Sequence, residues 1–241
     1  MIDPRTLGRA KPASRPNHFA LSEADRDRIA AAVTAAEAHS AGEIVTILAD
    51  RSDSYEDIAL LWSALVALLA LAVLSSAPQF YLALIDRILG WWDKQWLPGE
   101  LFALAAIVAT GKFGATWLIL RWRRLRFALV PGPIKHARVR ARAVSYYHVG
   151  TEKRTAGGTG VLIYLSRAER RAEIVTDPEV TAAIPVTEWG AAMAALIRHV
   201  GDNRVADGMV EAIAKVGAVL TEHFPRDAHD TNELPDRVIE V

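Results

Sequence analysis

The sequence IALLWSALVALLALAVLSSA, residues 58–77, contains no charged side chain. Twenty residues at a helical rise of ~1.5 Å span ~30 Å, which matches the hydrocarbon core of a bilayer. A helix in a soluble core rarely stays apolar on every face for this length. The stretch predicts a first transmembrane helix, which cuts an otherwise soluble-looking α/β sequence in two.

The sequence LFALAAIVATGKFGATWLIL, residues 101–120, predicts a second transmembrane helix with one charged residue, Lys112. Two interpretations of Lys112 stay open. It faces a partner helix, a subunit or a lipid headgroup, or it snorkels to the surface from a shifted span. Gly111 and Gly114 leave room for close helix contact, which favours association with other membrane proteins or with a second copy.

The segment between the two apolar runs, residues 78–100, is predicted to lie at the membrane interface. Aromatic side chains of this kind collect at the level of the lipid headgroups. We expect a short interfacial helix over residues 80–92, with Pro98 starting the return span. The aromatic residues of the segment include Tyr81, Trp91, Trp92 and Trp96.

Basic residues follow the second span closely, starting in a juxtamembrane linker at residues 121–134, whereas the loop between the spans offers only Arg87 and Lys94. Because lysine and arginine accumulate on the cytoplasmic side, this asymmetry predicts a two-span protein of the bacterial inner membrane with both termini cytoplasmic. The bilayer is thus the first predicted partner. The residues expected to face anionic lipid are Arg121, Arg123, Arg124, Arg126, Arg138 and Arg142.

The overall composition excludes several classes of function. The 241 residues include 28 basic and 28 acidic side chains, so the net charge is zero and no nucleic-acid partner is implied. The chain has no cysteine, which excludes disulfides, thiolate metal sites and cysteine nucleophiles. None of the seven histidines pairs with another at metal-ligand spacing on one element.

The soluble residues before the first span comprise a flexible tail, residues 1–19, and the first part of a domain, residues 20–57. Ser22 is placed to cap a helix that runs to about His39, with Asp25 in its first turn. Residues 43–49 are rich in β-branched side chains and predict a strand.

The second part of the domain is predicted at residues 135–225, and a flexible acidic tail follows at residues 226–241. A basic helix over residues 134–148 comes first. Two strands, residues 161–165 and 172–176, are separated by a polar turn and predict an antiparallel hairpin. Two helices with apolar stripes, starting near Thr187 and Arg204, complete the domain.

The glycine-rich segment at residues 155–160 does not have the context of a phosphate-binding loop. Such a loop follows a strand and opens a helix, whereas these glycines precede a strand and no Gly-Lys-Ser/Thr follows. The order of elements, α, β, interrupted crossover, β, β, α, α, predicts a small mixed sheet with helices on both faces. The fold class is therefore α/β, interrupted by a two-helix transmembrane hairpin.

Three segments resemble the TPM domain family. GEIVT, residues 42–46, resembles its first strand; TGVLIYLS, residues 159–166, and the segment from Glu169 to Asp177 resemble its central hairpin. The closing helices and the end at Phe224-Pro225 also fit. The resemblance implies a compact α/β/α sandwich of the bacterial kind in which a transmembrane hairpin interrupts the domain.

The same resemblance carries little information about activity. The family includes a thylakoid-lumen phosphatase-like protein, a photosystem II repair factor and an auxiliary subunit of a nematode acetylcholine receptor. Many members carry an Asp-Asn pair before the glycine that opens the central strand. Here those positions hold Gly158 and Thr159, so this part of a metal-dependent phosphatase site is missing.

Acidic residues at strand ends are the candidate metal ligands, for Ca²⁺ or Mg²⁺. They are Asp177, Glu179 and Asp50, with Asp53 nearby. If the strands ending at Asp50 and Asp177 are parallel, the acids meet at one rim of the sheet. If the strands are antiparallel, the acids lie at opposite ends and Asp177 is nearer Glu43. Asp177 also matches an acidic position of the TPM subgroup.

Three functions are compatible with these features. The first is a non-catalytic, membrane-anchored module for interaction or assembly with other membrane proteins, without a bound cofactor. The second is a phosphatase-like hydrolase that uses carboxylates and a divalent ion. The third is a module that senses anionic lipid through its basic helix.

Overall fold

The first strand, β1 (Glu43–Ala49), is buried along its whole length and organises the sheet. The computed structural model describes residues 21–91, 94–150, 159–226 and 237–241. It divides the chain into two units, one formed by Met1–Ser52 with Val139–Val241 and the other by Asp53–Arg138. The first unit is a mixed α/β domain, as the sequence predicts, and the second is helical.

The sheet of the α/β unit has four strands in the order β3-β2-β1-β4. Strand β1 pairs in parallel with β2 (Gly160–Ser166), with Glu43 opposite Gly160. Strand β3 (Arg171–Thr176) pairs antiparallel with β2 and forms the predicted hairpin. Strand β4 (Ile239–Glu240) pairs in parallel with β1 at the opposite edge. The sheet is therefore mixed.

Three long helices cover one face of the sheet. They are α1 (Glu23–Glu37), α8 (Gly190–Gly201) and α9 (Val205–His223). Ser22 caps α1 in a capping box with Asp25, as its position in the sequence predicts. The side chains of Ile29, Ile163 and Ile213 are fully buried between these layers. Helix α7 (Pro178–Ala183) and a 3₁₀ helix (Val186–Trp189) connect β3 to α8.

The other face of the sheet is covered by the last two-thirds of α6 (Gly132–Gly150). Val139, Ala143 and Tyr147 recur at helical spacing and pack on strand residues that include Leu162 and Tyr164. The basic helix predicted at residues 134–148 is therefore α6, and its apolar stripe packs on the domain. With helices on both faces, the central strands β1 and β2 are buried at every position rather than at alternate ones.

The second unit contains two long helices, α2 (Glu56–Ser76) and α4 (Pro98–Leu120). Both are long and apolar enough to cross a membrane. They pack along each other, and the buried residues of α2 include Ala59, Ser63 and Ala67 at intervals of four. Small residues at this spacing allow the helix backbones to approach closely. Along the chain, helix α3 (Pro78–Leu89) follows α2 and precedes α4.

Two segments expected to be irregular contain regular structure. Within the linker predicted at residues 121–134, Arg123–Leu129 forms helix α5. Within the tail predicted at residues 226–241, Ile239–Glu240 forms β4; two residues are too short for any periodic signal. The tail predicted at residues 1–19 and the glycine-rich residues 155–158 lie outside the described part of the chain.

Candidate functional site

Asp50 and Asp177, two of the predicted metal ligands, lie at opposite ends of the sheet. Asp50 follows β1, which is parallel to β2, whereas Asp177 follows β3, which is antiparallel to β2. The carboxyl ends of β1 and β3 are therefore at opposite ends of the sheet. The structure selects the second of the two arrangements left open by the sequence, and Asp50 does not meet Asp177.

Asp177 has a structural environment at the start of β2. Its side chain is buried, and its Oδ2 atom accepts a hydrogen bond from the Gly160 amide at 2.8 Å. Its own amide donates to the Gly160 carbonyl at 3.0 Å, which closes the end of the hairpin. Pro178 then begins α7, where the missing N–H of proline costs nothing. Asp177 thus joins the hairpin to the next helix.

Glu179 lies in the first turn of α7 and is exposed. At the other end of the sheet, Asp50 forms an ion pair with Arg167 in the turn between β2 and β3. Among the described residues, no group of three or more His, Asp or Glu side chains is placed to hold a metal ion. The three predicted ligands are thus not gathered into one metal centre.

A buried polar network, which the sequence analysis did not identify, lies beside the carboxyl ends of β1 and β2. It consists of Ser52, Tyr164, Ser166 and Glu169, all of them buried. The Glu169 carboxylate accepts the Ser52 amide at 3.2 Å and the hydroxyl of Ser166. The hydroxyls of Ser52 and Tyr164 lie 3.0 Å apart. The network fixes the chain immediately after β1.

Two residues of helix α6 also contact this network. The Nε atom of Arg142 donates to the Ser52 carbonyl at 3.0 Å, and the ring of Tyr146 stacks on Tyr164 with centroids 5.9 Å apart. Burial raises the pKa of the Tyr164 phenol, and the hydrogen bond with Ser52 opposes that rise. Tyr164 therefore stays neutral and serves as a hydrogen-bonding group of the core.

The six basic residues expected to face lipid fall into different environments. Arg121, Arg123 and Arg124 are exposed beside Trp122, whose surface is 74% exposed. Arg126 is only half-buried. Exposed cations next to an exposed tryptophan are typical of a membrane interface.

The other two residues of that set have protein partners. Arg138 forms ion pairs with Asp53, at 2.6 Å, and with Asp57, so its pKa is raised chiefly by the two carboxylates. Arg142 is exposed but, as described above, bonds to the backbone of Ser52. Charge alone predicted a lipid-facing role for Arg138, because no local pattern in the sequence identifies its carboxylate partners.

The loop between α3 and α4 is held by an aromatic clamp. The Lys94 Nζ atom lies 4.2 Å from the ring centroid of Trp91 and 4.5 Å from that of Trp96. The same atom is 3.2 Å from a carboxylate oxygen of Glu100. The Trp96 indole N–H donates to Asp86 at 3.2 Å. The tryptophans predicted to anchor this loop thus also order it internally.

These features define a mixed α/β protein with a four-stranded sheet and an inserted pair of long apolar helices. No protein-family model matches the chain, and no curated protein matches it. Among solved structures, its fold is similar to the NMR structure of the BA42 protein from the psychrophilic bacterium Bizionia argentinensis. The TM-score is 0.54 at 16% identity, and the match covers 94% of this chain and 99% of that one. The similarity supports the fold.

Proposed function

We propose that this chain is a membrane-anchored protein of the TPM type, in which α2 and α4 span the inner membrane and the α/β unit docks other membrane proteins in the cytoplasm. One observation carries the anchoring. Large apolar side chains along both helices are exposed, for example Leu68 and Leu69 at 63% each and Phe102 at 77%. Exposing so large an apolar surface to water is unfavourable, whereas exposing it to lipid is not.

The orientation of the anchor rests on the arginines. Arg121, Arg123 and Arg124 stand exposed at the end of α4. The segment between the spans contributes only Arg87 and Lys94, and Lys94 is already engaged by two tryptophans and Glu100. Basic residues beside a span favour the cytoplasmic side. Both soluble segments then lie in the cytoplasm.

Cysteine accessibility tests this topology directly, because the chain has no cysteine of its own. Ala168→Cys introduces a thiol into the exposed turn between β2 and β3, and Gln95→Cys introduces one into the exposed loop between α3 and α4. In intact cells, a membrane-impermeant maleimide should label position 95 and reach position 168 only after the membrane is permeabilised. The reverse pattern contradicts the orientation, and labelling of both in intact cells contradicts the two-span anchor.

The docking role is supported by a mixed-charge surface on α1 and α9. Arg28 bridges Asp25 at 3.4 Å and Asp207 at 2.6 Å, and Arg26 bridges Glu23 and Glu240. Surfaces with interspersed charges of both signs suit reversible recognition, since complementary charge sets specificity and association rate.

In-cell photocrosslinking tests the docking role. A photoreactive residue at Glu23, whose side chain is 84% exposed, should give discrete adducts with other membrane proteins. The charge reversal Arg28→Glu should remove those adducts. Crosslinking by the same probe placed at exposed Glu188 should not change with this reversal. Identical adducts from both positions would mean that the α1 surface has no special role.

Lipid sensing is kept as a second candidate because of the exposed cluster Arg121, Trp122, Arg123 and Arg124. The test is the composition of lipid retained by protein purified in nanodiscs of mixed zwitterionic and anionic lipid. Arg123→Gln with Arg124→Gln should reduce enrichment of the anionic lipid, more at low than at high salt. The hydrolase hypothesis has less support, because the sheet separates Asp50 from Asp177.

A further inference from the structure

Strand β1 is paired to different extents along its two edges. On one edge it pairs with β2 over all seven of its residues, Glu43–Ala49. On the other edge it pairs with β4 through two residues, Ile47 and Leu48. The backbone N–H and C=O groups at the edge of a sheet can pair with any extended segment that reaches them. The edge of β1 that faces β4 is therefore a place where one strand can replace another.

The amino-terminal part of this edge is closed by α1. The Glu37 carboxylate, at the end of α1, is buried and accepts a hydrogen bond from the Ile44 amide at 2.8 Å. In a parallel pair, alternate residues direct their backbone groups to the same edge, so Ile44 shares an edge with Leu48 and Asp50. A side chain of the domain itself thus occupies the edge at Ile44, and the part that remains for a strand runs from Thr46 to Asp50.

The segment Val238–Val241, which contains β4, covers the remaining part of the edge. The Asp50 amide donates to the Val241 carbonyl at 2.9 Å, and the Val241 amide donates to the Leu48 carbonyl at 3.0 Å. A backbone hydrogen bond of this kind adds little net stability, because water or another peptide replaces it. The apolar side chains of Ile239 and Val241 are 41% and 47% exposed. The backbone contacts of this segment are therefore ones that a different extended peptide can reproduce.

Two side chains of the segment distinguish it from an arbitrary peptide. Val238 packs against the buried core between the sheet and the three long helices. A carboxylate oxygen of Glu240 lies 2.7 Å from the Nε atom of Arg26 on α1. Because side chains alternate along an extended segment, residues two positions apart point to the same side, which here is the side of α1. The edge thus accepts an aliphatic residue followed, two positions later, by an acidic one.

We propose that the β1 edge from Thr46 to Asp50 is a strand-addition site, which the segment Val238–Val241 occupies until a partner protein replaces it. The partner supplies an extended segment in which an aliphatic residue is followed two positions later by Asp or Glu. Its backbone pairs with β1, and its carboxylate pairs with Arg26. This inference rests on the docking role proposed above, to which it adds a site and a class of ligand.

Tethering explains why the chain's own segment is the resting occupant. A segment joined to the domain that it binds has a high effective concentration, so weak contacts are enough to keep the edge covered. A second membrane protein is itself confined to the bilayer beside the domain, so its extended segment competes at a raised local concentration. A soluble peptide has no such advantage and binds well only when the chain's own segment is weakened.

The test uses the full-length protein in mild detergent and a fluorescent peptide with the sequence of residues 237–241, Arg-Val-Ile-Glu-Val. Val238→Asp with Glu240→Arg weakens the protein's own segment, because the double variant places a carboxylate against the apolar core and an arginine against Arg26. We expect this double variant to bind the peptide about 10-fold or more tighter than wild type, as for a site that is open about 10% of the time or less before the change. Fluorescence anisotropy measures the binding.

Charge reversal tests whether Arg26 recognises the carboxylate. In the double variant, a peptide with Arg in place of its Glu should bind more weakly, and adding Arg26→Glu should reverse that preference. Arg28→Glu is the matched control, because Arg28 lies on the same helix but pairs with Asp25 and Asp207. It should leave the preference unchanged. Equal binding of the two peptides while Arg26 is present refutes the part assigned to the carboxylate.

Hydrogen exchange locates the peptide on the protein. The Asp50 amide, which donates to Val241, should lose protection in the double variant and regain it when the peptide binds. The Arg167 amide donates to the Ala49 carbonyl at 3.0 Å, on the opposite edge of β1, so it should stay protected throughout. Its protection shows that the sheet remains folded in the variant.

Three further results overturn the proposal. One is an Asp50 amide that stays protected in the double variant, since the segment would then not be what covers the edge. Another is peptide binding that the double substitution does not strengthen. The third is a wild-type dimer that the double substitution dissociates, because the occupant would then be a second copy of the chain. Adducts from the Glu23 probe that persist in any of these cases leave the docking role standing, and their absence refutes that role as well.

Discussion

Gly217→Ala probes the contact between α1 and α9, on which the covered face of the sheet depends. A Cβ atom at position 217 would lie 2.6 Å from the Cβ of Ala36 and 3.2 Å from its Cα. Carbon atoms normally rest ~3.5–4.0 Å apart, so the two helices must separate. Overpacking of this kind costs about 1–3 kcal/mol, while replacing a helical glycine by alanine returns about 1 kcal/mol. The net loss of stability should be about 0–2 kcal/mol.

A matched control separates the steric cost from the gain in helix propensity. Gly190 also has helical dihedral angles, but a Cβ atom there meets nothing within 4 Å. Gly190→Ala should therefore stabilise the domain by up to about 1 kcal/mol. Ala36→Gly removes the atom that Gly217→Ala would strike. The double variant should recover the steric term, with a coupling energy of about 1–3 kcal/mol.

The assay is urea unfolding of the full-length protein in mild detergent, with hydrogen exchange at β1 and β2 as the readout of unfolding. Tryptophan fluorescence is unsuitable, because Trp189 is the sole tryptophan among seven that belongs to the α/β unit. If Gly217→Ala proves as stabilising as Gly190→Ala, or if Ala36→Gly fails to rescue it, then α1 and α9 do not pack as closely as described.

Three further predictions concern titration and catalysis. Burial raises the folded-state pKa of Tyr164 above its unfolded value of ~10, so the stability it contributes is present below pH ~10 and is lost as the pH rises through the folded-state pKa. Tyr164→Phe should therefore flatten this alkaline loss of stability, measured by urea unfolding. At neutral pH the same variant should cost about 1–3 kcal/mol, because the hydroxyl of Ser52 is left without its partner. The hydrogen bond from Arg28 lowers the pKa of Asp207, so the stability that this pair contributes is present above pH ~4 and is lost as the pH falls through the lower folded-state pKa. Arg28→Ala should therefore reduce the loss of thermal stability between pH 5 and 2, with Arg198→Ala as the control. Purified protein should hydrolyse a generic phosphomonoester no faster with Ca²⁺ or Mg²⁺ than with chelator, and metal-dependent turnover that Asp177→Ala abolishes would make the protein an enzyme.

The sequence was most informative where one segment decides its own structure. The bounds of β1 were predicted at residues 43–49 because β-branched residues fill that run, and the β2–β3 hairpin followed from two apolar runs around a polar turn. Helices α2 and α4 were predicted from length and apolarity alone. Each of these signals is local, so neighbouring residues suffice to read it.

The candidate site was less predictable because it depends on contacts between distant residues. Ser52 and Glu169 are 117 positions apart in the chain, and no periodic pattern links them. The separation of Asp50 from Asp177 depends on the parallel pairing of β1 with β2 across the inserted helices. Arg138 shows the same limit, since its basic character was plain but the carboxylates of Asp53 and Asp57 were not assigned to it.

The parallel pairing of β1 and β2 also explains how a hairpin can be inserted without disrupting the sheet. Parallel strands need a crossover of a dozen or more residues, usually a helix, and α6 provides it on the outer face. The insertion runs from just after β1 into the first turns of that helix, in a connection that must be long in any case. Its first residue, Asp53, bonds to its last, Arg138, at 2.6 Å, so its two ends are adjacent. An insertion whose ends meet imposes little strain on the domain that carries it, and this allows one chain to combine an α/β domain with two apolar helices.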